Sequence, residues 1–146
     1  MGMFNIKKIK KSHLNQFVNL WNQERDVLTS SGFLMTKEKA EKGFKEKMFD
    51  YLGVFEKENL FGFMLLKKEK NELWIKHLLI DKDQRGKGLG KKLVKKAFSI
   101  AEKNKMKIKT EVLIKNKKAL LFFEKLGFKK VKIDKKESQY VLEKIN

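Results

Sequence analysis

The stretch from Trp74 to Asn104 restricts the fold of this chain more than any other. A strand-like apolar run, Trp74 to Ile80, passes through Asp81, Lys82, Asp83 and Gln84 into Arg85-Gly86-Lys87-Gly88-Leu89-Gly90. Leu89, Leu93, Val94, Ala97, Ile100 and Ala101 then recur on one helix face, the pattern of a helix lying on a sheet and ending near Asn104. Glycine lets the backbone curl so that successive N–H groups converge. The start of the helix adds its own unpaired donors and the positive end of its dipole, which together make an anion site suited to a phosphate. Glycine at Gly86, Gly88 and Gly90 is more than a simple strand-to-helix turn requires.

Two familiar nucleotide motifs fail on spacing. A P-loop needs glycine where Arg85 stands and a hydroxyl residue where Lys92 stands. A dinucleotide fingerprint begun at Gly86 needs its third glycine at Lys91, and one begun at Gly88 needs it at Leu93.

The rest of the chain supplies the sheet. Phe4, Ile6 and Ile9 suggest a first strand, and Ser12 is the expected N-cap of a helix carrying Leu14, Phe17, Val18, Trp21, Arg25 and Leu28. Ser30, Ser31 and Gly32 break that pattern before a second helix from Thr36 to Met48, with Ala40, Phe44 and Met48 on one face. Tyr51 to Phe55, Leu60 to Leu66 and Glu72 to Ile80 read as an antiparallel meander with short connections. Ile108, Thr110, Val112 and Ile114 alternate as a strand, and Ala119, Leu120, Phe123 and Leu126 mark a short helix closed by Gly127. Phe128 to Ile133 and Gln139 to Leu142 complete the order. The expected fold is α/β, with a mixed, mainly antiparallel central sheet of about seven strands flanked by about four helices.

No proline, Gly/Ser linker or repeat interrupts the 146 residues, so one domain over 1–146 is expected. Apolar residues at 41% supply a core despite 37% charged residues. With no cysteine and only His13 and His77, thiolate metal sites, a cysteine nucleophile and an imidazole-rich metal site are excluded. The longest apolar run, Leu60 to Leu66, is far short of a membrane span, and Met1 to Lys11 has no signal-peptide core, so a cytoplasmic protein with no membrane partner is expected. The net charge of +18 favours polyanions, but the lysines are spread along the chain and no nucleic-acid motif accompanies them.

Arg85-x-x-Gly88-x-Gly90 after Leu78, Leu79 and Ile80 resembles the acetyl-CoA signature of the GCN5-related N-acetyltransferase (GNAT) family. Further on, Asn116-x-x-Ala119-x-x-Phe122-Phe123-Glu124-Lys125-Leu126-Gly127-Phe128 is similar to that family's second motif, with Phe123 where a tyrosine is usual. The element order matches the family fold over nearly the whole chain.

The resemblance implies acetyl-CoA as cofactor. Backbone N–H groups around Arg85, Gly86, Lys87, Gly88, Leu89, Gly90 and Lys91 would contact its pyrophosphate. The edge of Leu78, Leu79 and Ile80 would pair with the pantetheine arm, and a backbone N–H there would polarise the thioester carbonyl. Asn116 would lie near pantetheine or serve as a helix N-cap. Lys87, Lys91 and Lys125 are candidates for the phosphates or solvated surface charges.

An amine acceptor is mostly protonated at neutral pH, so a base is expected. Glu111 occupies the position at which acetyltransferases resembling the ribosomal-protein N-terminal type carry one. Lys109, on the same predicted face, would weaken it as a base. Glu72 and His77 are alternative bases. Phe123 has no hydroxyl to protonate a departing thiolate, a role open to Tyr51 or Tyr140 if the fold brings either near. The expected function is transfer of acetyl from acetyl-CoA to a primary amine, of a small molecule or of a protein N-terminus or Lys, by direct attack in a ternary complex. Two alternatives stand beside it: a non-catalytic acyl-CoA binding or sensor module, and an RNA- or ribosome-directed acetyltransferase.

Overall fold

The β-patterned segments pair edge to edge in the computed structural model, which describes residues 3–145. β1 (Asn5–Lys8), β2 (Asp50–Glu56), β3 (Asn59–Glu69), β4 (Glu72–Ile80), β5 (Lys107–Leu113), β6 (Phe128–Asp134) and β7 (Gln139–Lys144) form one seven-stranded sheet in the order β1-β2-β3-β4-β5-β7-β6. Every pairing is antiparallel except β4 with β5, which the long excursion through a helix makes parallel. The helices among the described residues are α1 (Leu14–Gln23), α2 (Arg25–Leu28), α3 (Lys37–Lys45), α4 (Leu89–Asn104) and α5 (Lys117–Lys125).

The sheet is covered on both faces, so its interior strand β3 reads as a continuous buried run from Gly62 to Leu66 rather than as an alternation. Met64 and Leu66 face α4, meeting Leu93, Val94 and Ala97, while Phe63 and Leu65 face α1, meeting Phe17 and Trp21. Phe17 and Trp21 lie one helical turn apart and both rest on the Phe63 ring, at 4.7 and 6.2 Å between centroids. Burying each such ring contributes about 1.5–3 kcal/mol, which pins α1 to the sheet.

The first predicted helix is broken. Lys11–His13 forms a 3₁₀ turn in which His13 Nδ1 accepts from the Lys10 N–H at 2.9 Å, so His13 rather than Ser12 organises the helix start. A second break falls at Glu24 (φ −134°, ψ 30°), whose carboxylate accepts from Arg85 at 3.0 Å; the short α2 beyond it brings Val27 and Leu28 toward the Gly-rich turn. This split raises the expected four helices to five. α3 stops at Lys45, because Lys47 takes a left-handed φ of 53°, and Met48 lies outside it and exposed. Thr36 caps α3, accepting from the Lys39 N–H at 3.2 Å.

β4 and β5 pair only from Glu72↔Lys107 to Ile75↔Thr110. β4 then carries a one-residue bulge, since Leu66 opposes Ile75 while Leu65 opposes His77, leaving Lys76 as the extra residue. Beyond it β4 continues with β3, and β5 continues with β7 as far as Leu113↔Gln139. The sheet therefore opens into a fork.

Candidate active site

The fork exposes a strand edge. Asp81 donates its N–H to the Phe61 carbonyl at 2.8 Å, so by antiparallel alternation Leu79 and His77 turn their amides toward β3. Leu78 and Ile80 turn theirs to the open side, where no strand lies. The Ile80 carbonyl accepts from Arg85 Nε at 3.1 Å, and among the described residues the Leu78 N–H and C=O find no partner on that side.

Arg85 is a brace. Besides Ile80 it holds Glu24, so the guanidinium ties the end of β4 to the break between α1 and α2. The chain then reverses through Gly86 (φ 81°) and Gly88 (φ 77°), left-handed conformations that glycine adopts without cost. A side chain at either position would meet nothing within 4 Å, so both glycines border open space. Among the described residues, no backbone N–H from Arg85 to Lys91 has an internal acceptor; the first to find one is Lys92, bonded to the Gly88 carbonyl at 3.0 Å. Lys87 Nζ turns back to Gln84 at 2.7 Å. Gly90 allows α4 to approach the Phe122 ring, to which a Cβ there would stand at 3.4 Å.

These groups line a groove of about 470 Å³ that runs from the turn along the Leu78–Ile80 edge to Asn116 and Phe123. Asn116 caps α5, its side chain accepting from the Ala119 N–H at 3.2 Å, and it also faces the groove. An extended, amide-bearing diphosphate such as coenzyme A fits the donor set: free strand-edge groups at one end and a cluster of free N–H groups at a helix start at the other.

A second cleft, of about 560 Å³, opens on the other side of Leu78 between the loop after α2, β5 and the β6–β7 turn. Glu111 stands on its wall. Its Oε1 accepts from Lys76 Nζ and its Oε2 from Gln139 Nε2, both at 2.9 Å. Gln139 also approaches Asp134 at 3.4 Å, and Ser30 Oγ donates to Glu137 at 3.0 Å across the mouth. Val27, Leu28, Leu78, Asn116, Ala119 and Phe123 line both spaces, so groove and cleft meet there.

A family model described as an acetyltransferase (GNAT) domain matches residues 21–142. The chain belongs to the GNAT acetyltransferase family. It is 31% identical over 134 residues to the peptidyl-lysine N-acetyltransferase YjaB of Salmonella typhimurium, covering 87% of this chain and 84% of that protein. Its fold is similar to that of the PaiA N-acetyltransferase from Thermoplasma acidophilum in complex with coenzyme A, at 23% identity and a TM-score of 0.78 over 99% of each chain. It is also similar to a ribosomal-protein-alanine N-acetyltransferase from Brucella melitensis, at 12% identity and a TM-score of 0.83, covering 97% of this chain and 99% of that one. As a GNAT protein it is an acetyl-CoA-dependent acetyltransferase. No helix among the described residues is long and apolar enough to cross a membrane.

The GNAT fold places the residues expected from sequence unevenly. Lys109 shares the face of Glu111 but does not pair with it: Lys109 pairs with Glu72 at 2.6 Å, and Lys76 pairs with Glu111 instead. The register explains this, since Trp74↔Lys109 puts Lys76 opposite Glu111 one step past the last pair. The Lys109 ammonium holds the Glu72 carboxyl below its ordinary range, and Glu72 lies outside both spaces. Tyr51 packs against Phe17, Phe44 and Phe49, where burial raises its pKa, and Tyr140 lies under Lys130; neither reaches the fork. Phe123 is buried against Phe122 and Phe128. Sequence reasoning missed Lys76, Gln139 and the Asp134–Glu137 turn. Only the β4–β5 register could have exposed the first, and the others depend on β7 folding back beside β5.

Proposed function

We propose that this protein acetylates a primary amine of the peptidyl-lysine type, by direct attack on acetyl-CoA within a ternary complex, from one domain spanning 1–146. One observation carries the reading: the Leu78 edge is shared by the amide-lined groove and the carboxylate-lined cleft, so an acyl donor and an amine entering from opposite sides meet at one free backbone N–H. Bound acetyl-CoA would supply an acetyl thioester, whose C–S bond breaks as the amide bond forms, with coenzyme A leaving as its thiolate. In this reading the N–H groups from Arg85 to Lys91 hold its pyrophosphate and the Leu78 and Ile80 groups orient its pantetheine arm, with Leu79 supporting them from the core and Asn116 facing it. The Leu78 N–H stabilises negative charge developing on the acyl oxygen. Glu111, anchored by Lys76 and Gln139, receives the proton that the attacking nitrogen gives up.

The lysine acceptor follows from charge. The acidic and basic side chains lining the cleft are carboxylates at Glu111, Asp134 and Glu137 against one ammonium, Lys76, with His77 as the lone imidazole, in a chain whose net charge is +18. A cationic acceptor suits that inversion, and the YjaB relative bears a peptidyl-lysine name.

Initial rates on a lysine peptide with both substrates varied test the scheme, and intersecting double-reciprocal lines are expected. Parallel lines would remove the ternary complex. Glu111→Gln should lower kcat about 100-fold or more and leave coenzyme A affinity unchanged; equal losses in both would remove Glu111 from the role. Coenzyme A binding with no transfer to any amine would favour a sensor module.

A further inference from the structure

His77 presents a buried ring nitrogen with nothing bonded to it. The residue sits on β4 next to Leu78, on the wall of the acceptor cleft. Its ring meets Trp21 edge to face at 4.7 Å between centroids and Phe49 at 5.8 Å. Nδ1 has no partner among the described residues. Trp21 Nε1 is also unpartnered, but the edge-to-face contact joins no donor to the imidazole lone pair. Buried polar atoms in native proteins are almost always satisfied, so an orphan at a cleft wall leaves an acceptor that a water or a ligand can complete.

The protonation state follows from the surroundings. Burial pushes the His77 pKa down to about 4, and the Lys76 charge adds to that effect, while the Leu28 contact opposes it. The ring is therefore neutral at pH 7, with one N–H and one lone pair. Nδ1 is the ring nitrogen without a partner, and the Leu28 backbone favours the protonated ring, so the N–H is assigned to Nε2 and the lone pair to Nδ1. The charged groups near the ring are Lys76 on its own strand and Glu111 across the fork; α1 presents Trp21 and the segment before β2 presents Phe49, neither of them charged.

We propose that His77 Nδ1 accepts an N–H of the acceptor amine and so aims the nitrogen lone pair at the Leu78 edge. This rests on the cleft being the acceptor site. His77 stays neutral throughout, and the displaced proton goes to Glu111. The contact selects a primary amine with an N–H to spare, and it accounts for a neutral imidazole held beside an ion pair.

The test is 15N NMR on the full-length wild-type protein with coenzyme A, a readout that does not depend on the activity of any variant. The chain has two histidines, and His77→Leu identifies the signal. At pH 7 the His77 Nδ1 resonance should be that of an unprotonated nitrogen, and it should move toward the hydrogen-bonded position on saturation with Nα-acetyl-lysine amide. Nα-acetyl-norleucine amide, which lacks the amine, should leave it in place. In turnover, His77→Leu should lower kcat/KM for the peptide about 30-fold or more with unchanged coenzyme A affinity. His77→Asn, which puts an acceptor oxygen close to the Nδ1 position, should recover most of that loss. A stationary Nδ1 signal while Glu111 and Gln139 signals shift would overturn the role of His77 alone. If none of the three shifts, the acceptor cleft itself is misassigned and both readings fall.

Discussion

Thr110 Oγ1 donates to the Ile75 carbonyl at 2.8 Å, across the last rung that β4 and β5 share. Thr110 is buried, and immediately beyond it the strands part around Lys76 and Glu111. The bond fixes where the fork begins. Thr110→Val keeps the shape and removes the donor, leaving a buried carbonyl short of a partner. Urea unfolding should show a loss of about 1–2 kcal/mol, with Thr110→Ser losing less. An unchanged midpoint in Thr110→Val would show that the ladder alone sets the fork.

Gly88 combines a left-handed φ of 77° with open space where a side chain would project. Asparagine tolerates that backbone better than other side-chain-bearing residues, so Gly88→Asn should fold with nearly wild-type thermal stability. It should nevertheless weaken coenzyme A binding about tenfold or more by calorimetry, since its side chain enters the groove. Gly88→Trp should abolish detectable binding. Undiminished affinity in both variants would mean that the diphosphate docks elsewhere.

The depressed His77 pKa has a consequence for folding. Its value is about 4 in the folded protein against roughly 6.5 in an unfolded chain. Between those limits the unfolded state binds the proton and the folded state does not, so stability is full above pH 6.5 and declines as pH falls toward 4. The limiting slope is one proton, about a tenfold change in the folding equilibrium per pH unit. His77→Phe should flatten that interval. Glu58, which Lys7 and His13 hold down to about 2, acts in a lower window, its contribution being lost as pH falls below the ordinary carboxylate range. A wild-type curve level from pH 6.5 to 4 would show that His77 titrates normally.

The Gly-rich turn was legible from sequence because its chemistry is local: strand, three glycines and helix follow one another without interruption, and the backbone does the work. Asn116 was legible as a cap for the same reason. Lys76 was not, because the Lys76–Glu111 pair depends on a parallel register between strands separated by a whole helix, and on a bulge that nothing in Trp74 to Ile80 announces. Alternation alone pointed to Lys109, which the twisted sheet gives to Glu72 instead. The break at Glu24 was hidden too, since the Arg85 contact it serves lies 61 residues away in sequence. Local patterns survive reading one residue at a time, whereas the acceptor side is assembled from five distant segments.

The mouth of that acceptor side offers the sharpest test of substrate charge. Asp134 and Glu137 have no cationic partner among the described residues, although lysines flank them at Lys132, Lys135 and Lys136. Asp134 accepts from the Glu137 N–H at 3.3 Å and Glu137 accepts from Ser30 at 3.0 Å, bonds that asparagine and glutamine can also accept. The double variant Asp134→Asn/Glu137→Gln should therefore preserve the turn and the link across the cleft while removing two charges. KM for a lysine peptide with a basic flanking residue should rise several-fold at low salt, and kcat and coenzyme A affinity should hold. The wild-type KM should itself climb with added salt, because exposed charges separated by about 10 Å are screened near 0.1 M, and the variant should lose that dependence. A KM equal to wild type at low salt would mean that the carboxylates serve the β6–β7 turn alone, and that selection for a cation lies with Glu111 deeper in the cleft.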